Sequence, residues 1–241
     1  MNKQVPNKLR RTFFDIEVSP ASTMTYGKFH EATILEVIRS PYIFCFSYAD
    51  VDTGKVKSVS LPDFPLYKRE PYNDREVVKR LYKVISESDQ IIAHNIAFDM
   101  RTAVARFIYH KLPPIKPVKT ICTLKMARRV GQFPANTLKE VAIYLGVKHK
   151  METSKNLWQD IHFRKDKKAW REMCLYNKID TEVGIEIFKV LRGWTGKPHK
   201  DDMGISCECG SKDFNFRGYT LDRKRRHVVC KTCLRWFMVK A

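Results

Sequence analysis

Apolar residues along this chain repeat with two different periods, and the change from one to the other marks out its elements. Short apolar or alternating runs at 13–18, 34–38, 42–48, 56–61 and 90–94 predict strands, since side chains two apart share one face of a strand. Asp52-Thr53-Gly54-Lys55 reads as a turn, so 34–61 is expected to form an antiparallel β-meander beside the first strand. Residues 24–31 fit neither period. Spacings of three and four then predict helices. Val77, Leu81, Val84 and Ile85 line one face, after a capping-box-like pairing of Asn73 with Glu76. The run 90–94 passes into a helical pattern at Asn95, carried by Ala97, Val104, Phe107 and Ile108. The proline-rich stretch 112–117 separates that helix from 121–130. Thr137 and Glu140 make a second capping box ahead of Leu138, Val141, Ala142 and Leu145, with Gly146 as the stop. A long amphipathic helix is expected over 166–192, with Trp170, Met173, Ile179, Val183, Ile187 and Val190 among its apolar positions. The alternation predicts an α/β domain over 11–193, a single mixed sheet with flanking helices. A linker over 194–203 then leads to a small module at 204–241.

Charge adds a partner to this outline. The chain carries 45 Lys and Arg against 26 Asp and Glu, a formal charge of +19 spread along its whole length. Such a balance points to a polyanion, nucleic acid above all, because phosphate contacts dominate that kind of binding. There is no apolar run near membrane-spanning length and no apolar core of a signal peptide in the first eight residues. An intracellular protein without a membrane partner is expected, cytoplasmic or in the host cytoplasm if the chain is viral. Of seven cysteines, Cys45, Cys122 and Cys174 are scattered in apolar surroundings and the other four fall in the last 35 residues. A reducing compartment with one metal cluster fits that distribution better than a disulfide framework.

Acids in unexpected places supply the candidate chemistry. In Phe13-Phe14-Asp15-Ile16-Glu17-Val18 two carboxylates interrupt an apolar strand and point to the same side, roughly 6.5 to 7 Å apart along the chain. Unpaired buried charge is strongly disfavoured, and divalent ions are the commonest means of making clustered carboxylates tolerable. An Asp-x-Glu arises by chance about once in a chain of this size, so the pair gains meaning from acids elsewhere. Asp99 sits in the first turn of the second helix, four positions after Asn95, where an acid also complements the helix dipole. Tyr176 and Asp180 are four apart on one face of the long helix, where a core aromatic and a solvated charge are the ordinary readings.

Taken in order, Phe14-Asp15-Ile16-Glu17, His94-Asn95-x-x-Phe98-Asp99 and Tyr176-x-x-x-Asp180 resemble the three exonuclease motifs of the DEDD superfamily. The resemblance is to its tyrosine-bearing branch, which includes the 3′–5′ proofreading domains of DNA polymerases, and it covers about residues 11 to 193. Cys122-Thr123-Leu124-Lys125-Met126-Ala127-Arg128 is similar to the family's Asp-Thr-Leu-x-x-Ala-Arg segment, with Cys122 in place of an Asp that is not a metal ligand. The histidine-bearing branch would place His at 175, where this chain has Leu175. The resemblance implies a ribonuclease H-like fold and hydrolysis of phosphodiester bonds at DNA 3′ ends, releasing 5′-mononucleotides. It further implies two Mg²⁺ or Mn²⁺ ions, held by Asp15, Glu17, Asp99 and Asp180. Tyr176, whose reference pKa is about 10, would orient the attacking water rather than serve as a base at neutral pH. Asn95 and Phe98 would contact the terminal nucleotide, Phe98 by packing on a base. An exoribonuclease of the same fold, a structure-selective endonuclease and a non-catalytic nucleic-acid-binding factor remain open at this point.

The C-terminal module has its own pattern. Cys207-x-Cys209 and Cys230-x-x-Cys233 have the look of a zinc ribbon, with one structural Zn²⁺ held by four thiolates and His227 as a weaker substitute ligand. A segment this small can hardly bury a core without such a staple. Arg223-Lys224-Arg225-Arg226-His227 lies between the pairs, with Phe214, Phe216 and Tyr219 nearby. That mixture suits a nucleic-acid contact, a solvated hairpin tip or a docking site for a replication or repair protein.

Overall fold

In a computed structural model of the chain, which describes residues 9–26, 33–147, 153–195, 205, 207, 211–232 and 234–240, β1 (Arg11–Val18) lies at the centre of a five-stranded mixed sheet. On one side β1 pairs antiparallel with β4 (Ile43–Asp50), which pairs antiparallel with β5 (Lys57–Ser60). On the other it pairs in parallel with β6 (Gln90–Ala93), and β6 with β7 (Lys119–Cys122). The helices are α1 (Arg75–Ser86), α2 (Ile96–Tyr109), α3 (Thr123–Val130), α4 (Leu138–Tyr144), the single turn α5 (Leu157–Gln159) and the long α6 (Lys167–Trp194). The sheet and helices make the mixed α/β architecture expected from the alternating periods. No helix among the described residues is long and apolar enough to cross a membrane.

The two faces of β1 face different cores. Phe14 and Ile16 join Phe44, Phe46, Leu81, Ile85 and Ile91 in the largest cluster, which takes in the apolar stripe of α1. Phe13, on the opposite face, packs with Ile92, Ile185 and Phe188, so α6 covers this side. Asp15 and Glu17 continue the Phe13 face by strand alternation. Close approach of α6 depends on Gly184: a Cβ there would lie 2.1, 2.5 and 2.9 Å from atoms of the Phe13 ring. Gly146, at φ +66, ends α4 in the left-handed conformation, and Thr137 Oγ1 accepts the Glu140 N–H at its start.

Two local expectations are corrected. The run 34–38 is a strand, β3 (Ile34–Arg39), but it pairs with β2 (Ser22–Thr25) in a separate two-stranded sheet rather than joining a meander. Both edges of β4 are already occupied, by β1 and β5, and Ser40-Pro41 breaks the chain between β3 and β4. The capping box at Asn73 and Glu76 does not form. Helix α1 begins one residue later with Asp74 at its N-cap, Asn73 accepts the Arg75 N–H at 3.1 Å, and Glu76 pairs with Lys79 at 2.8 Å. The Asp74 carboxylate is fully buried and is engaged elsewhere: it accepts from the Ile43 N–H at 2.9 Å and from Arg106 at 2.5 and 2.8 Å.

Contacts divide the chain into two units, Arg10–Arg192 and another that contains the segment from Gly193 onward. In the latter, β8 (Phe214–Tyr219), β9 (Arg225–Cys230) and β10 (Trp236–Lys240) form an antiparallel sheet with β9 in the middle. Phe214, Val228, Cys207 and Cys230 make its small buried cluster.

Candidate active site

The β1–β6 ladder ends at the pair Phe13 and Ile92, so the part of β1 that carries Asp15 and Glu17 runs on past its parallel neighbour. The chain leaves β6 through Asn95, which holds a left-handed conformation (φ 64°, ψ 45°) that asparagine tolerates better than most residues, and enters α2. This turn brings the first turn of α2 against β1. The Asp99 carboxylate accepts hydrogen bonds from its own backbone N–H and from that of Ile16. Asn95 and Phe98 are exposed in the same turn.

From the other side, α6 presents Tyr176, Asn177, Asp180 and Gly184 along one stripe, each three or four positions from the next or its neighbour. Gly184 seats this stripe on Phe13, and one turn earlier Asp180 meets the β1 acids. Carboxylate oxygens of Asp15, Glu17 and Asp180 all lie within 4.8 Å of one another. Asp99 stands outside that trio but close enough to repel Asp15 and Glu17. The Asn177 side-chain amide donates to Asp15 Oδ2 at 2.6 Å and to its carbonyl at 3.3 Å. The Tyr176 ring packs edge-on against Trp158, and its hydroxyl is hydrogen-bonded to Asp180.

The electrostatics follow from burial. Asp15 is held well above the usual carboxylate range, first by loss of water and then by Asp99, Glu17 and Asp180, against the opposing Asn177 hydrogen bond. Burial also pushes Glu17 up to about 8, with Asp180 and Asp99 adding to the rise. Asp99 is raised to about 7 by burial, against its two backbone donors. Tyr176 is raised by burial and then by Asp180, so its hydroxyl stays protonated through the physiological range. Without an added cation, the cluster is relieved by taking up protons. Three hard oxygen donors at this spacing fit Mg²⁺ or Mn²⁺, whose charge would relieve it instead.

Residues 30–192 match RNase_H_2, a family of the RNase_H superfamily. The chain belongs to the RNase_H superfamily. The matched span begins after β1, so it includes Asp99, Tyr176 and Asp180 but not Asp15 and Glu17. Among solved structures, the chain is similar to Exonuclease X in complex with 5′ overhanging duplex DNA, at 18% identity and a TM-score of 0.40, covering 77% of this chain and 94% of that one. No curated protein matches the chain in sequence.

Within this RNase_H superfamily domain, two residues that the sequence reading missed shape the site. Asn177 is a fully buried amide whose Oδ1 has no hydrogen-bond partner among the described residues, and its other end fixes Asp15. Its position three before Asp180, beside Tyr176, was the available signal. Gly184, four after Asp180, was the other: glycine inside a long helix marks a close approach.

In the C-terminal unit, Cys207 and Cys230 share one buried cluster, and Cys209 and Cys233 lie outside the described residues. Alternation along β9 puts His227 on the face opposite Val228 and Cys230. The guanidinium of Arg226 lies over the rings of both Phe216 and Tyr219, at 4.9 and 4.8 Å, while Arg223, Lys224 and Arg225 are exposed at the hairpin end.

Proposed function

We propose that this protein is a metal-dependent 3′–5′ exonuclease of the tyrosine-bearing DEDD branch, which hydrolyses phosphodiester bonds at DNA 3′ ends and releases 5′-mononucleotides. The observation that carries the reading is the buried trio of Asp15, Glu17 and Asp180, with Asp99 and the Tyr176 hydroxyl beside it. In this account Asp15, Glu17, Asp99 and Asp180 hold two Mg²⁺ or Mn²⁺ ions. Those ions supply charge that stabilises the phosphate in its transition state and makes water a competent nucleophile at neutral pH.

The chain's own residues do the positioning. Asn177 fixes the Asp15 carboxylate so that its oxygens are presented to the site. Tyr176, protonated and held against Trp158 and Asp180, orients the attacking water and does not remove its proton. Asn95 and Phe98, exposed beside Asp99, receive the terminal nucleotide. A Cys207, Cys209, Cys230 and Cys233 zinc site completes the C-terminal module, and the basic hairpin contacts nucleic acid.

The test is hydrolysis of 5′-labelled DNA and of the matching RNA with Mg²⁺, Mn²⁺ or EDTA, for the parent and for Asp15→Ala. A metal-dependent ladder shortening from the 3′ end and absent in Asp15→Ala is expected, with DNA preferred. Internal cuts, preference for RNA or binding without cleavage would each overturn the corresponding part of the reading.

A further inference from the structure

Two cavities of the Arg10–Arg192 unit are neighbours that share lining residues. The first, of about 610 Å³, opens beside Phe98 between Val18, Pro20 and Thr102. The second, of about 910 Å³, is walled by Arg39, Arg69, Arg75 and Lys111, with Glu70 as the acid among its lining residues. Ser40, Arg106 and Tyr109 border both. The path thus follows α2 from Phe98, beside the acids, to Lys111 just beyond the helix, about 20 Å by helix rise.

The cations along this path differ in kind. Arg106 is committed to buried Asp74, so its charge is matched, and its guanidinium lies 4.2 Å from the centre of the Tyr109 ring. Arg39 is held over the Tyr72 ring at 3.5 Å. Arg39, Arg69, Arg75 and Lys111 pair with no carboxylate among the described residues. Phe98 and Tyr109 are 52% and 68% exposed, so each presents ring surface along the path.

We propose that the two cavities form one track for a single unpaired nucleic-acid strand, which lies across Phe98 and Tyr109 and sets its phosphates against Arg39, Arg69, Arg75 and Lys111. Exposed rings spaced along a basic groove suit a single strand, because a duplex keeps its base faces stacked. The proposal rests on the nuclease reading for which end of the strand reaches the acids. Its charge complementarity is independent of catalysis. The track makes the protein grip its substrate several nucleotides upstream of the reacting end.

The experiment measures binding of a 5′-fluorescein-labelled thymidine oligonucleotide to the full chain by anisotropy, in EDTA and over a salt series. Each lost phosphate contact lowers the salt slope for a single strand by about 0.7, so Arg39→Ala/Arg69→Ala/Arg75→Ala is expected to lower it by about 2 and weaken binding. A dinucleotide, too short for the track, is expected to show little change between the two proteins. Lys111→Glu, a single exposed change, provides a second reading in case the triple variant misfolds. An unchanged slope in a folded variant, or an equal loss for blunt duplex, overturns the track. Cleavage of the same strand by the parent with Mg²⁺ is scored separately. Cleavage without a slope change removes the track and leaves the nuclease, whereas a slope change without cleavage removes the nuclease and leaves the track.

Discussion

Two buried acidic sites in one domain show what a partner does for a carboxylate. Asp74 is completely buried, yet it is matched on every side: Arg106 grips it with two nitrogens, His110 Nε2 lies 2.6 Å away, and the Ile43 N–H donates to it. It ties β4, α1 and α2 together. Asp15 and Glu17 are gathered just as closely with Asp180, but the charged groups that act on Asp15 and Glu17 among the described residues are further acids, and Asn177 gives Asp15 a neutral hydrogen bond. Buried charge tied into a matched network belongs to the architecture; a buried cluster of acids that repel one another marks a place for a cation from outside.

The largest effects should separate the two sites by kind. Asp74→Ala leaves Arg106 and His110 facing each other without their shared carboxylate, and breaking such a buried pair costs about 3–5 kcal/mol, read as a lower urea midpoint. Its activity per folded molecule should stay near that of the parent. Asp15→Ala should do the reverse, lowering nuclease turnover by about 100-fold or more. In EDTA its melting temperature should equal or exceed the parent's, because repulsion has been removed. If Asp15→Ala destabilised the metal-free protein as Asp74→Ala does, the distinction would be lost.

Smaller changes sharpen the comparison. Gly184→Ala drives a methyl into the Phe13 ring and should cost about 1–3 kcal/mol of overpacking, with turnover falling further as α6 carries Asp180 away from Asp15. Asn177→Ala removes the hydrogen bond that orients Asp15, and an outer partner of this sort is worth about 10- to 100-fold in metal affinity, measured by Mn²⁺ titration.

The pH dependence of stability probes the same contrast. Glu17 at about 8 and Asp99 at about 7 lie above their unfolded values near 4, so the folded metal-free chain favours the protonated acids. That contribution is complete below about pH 4 and is lost as pH rises through about 7 to 8. In EDTA the melting temperature should therefore fall from about pH 4 to about pH 8, at about 2–4 °C for each kcal/mol lost. Mn²⁺ should raise it most at the alkaline end.

Much of this contrast was legible in the chain, but unevenly. Asp15 and Glu17 stood out because strand alternation gives them a face that the neighbouring Phe13 shows to be buried, and helical spacing linked Tyr176 to Asp180. Asp74 was hidden inside what looked like an ordinary helix start, since its partners Arg106 and His110 come from another helix more than thirty residues away. The β3 strand was found but misplaced, because sequence shows that a strand exists and not whether β4 has an edge to spare. Asn177 was passed over as one polar residue in an amphipathic helix. Its importance depends on which side of α6 faces β1, and Gly184 sets that distance through a contact with Phe13 far away in sequence.

The most direct test of the clustered-acid account is Mn²⁺ binding by calorimetry near neutral pH, in two buffers of different ionisation enthalpy, for the parent and Asp15→Asn. The account predicts that the parent binds Mn²⁺ and releases protons, because Glu17 and Asp99 are partly protonated before the ion arrives, and that Asp15→Asn abolishes the tight binding. Binding without proton release, or binding that survives Asp15→Asn, would contradict it.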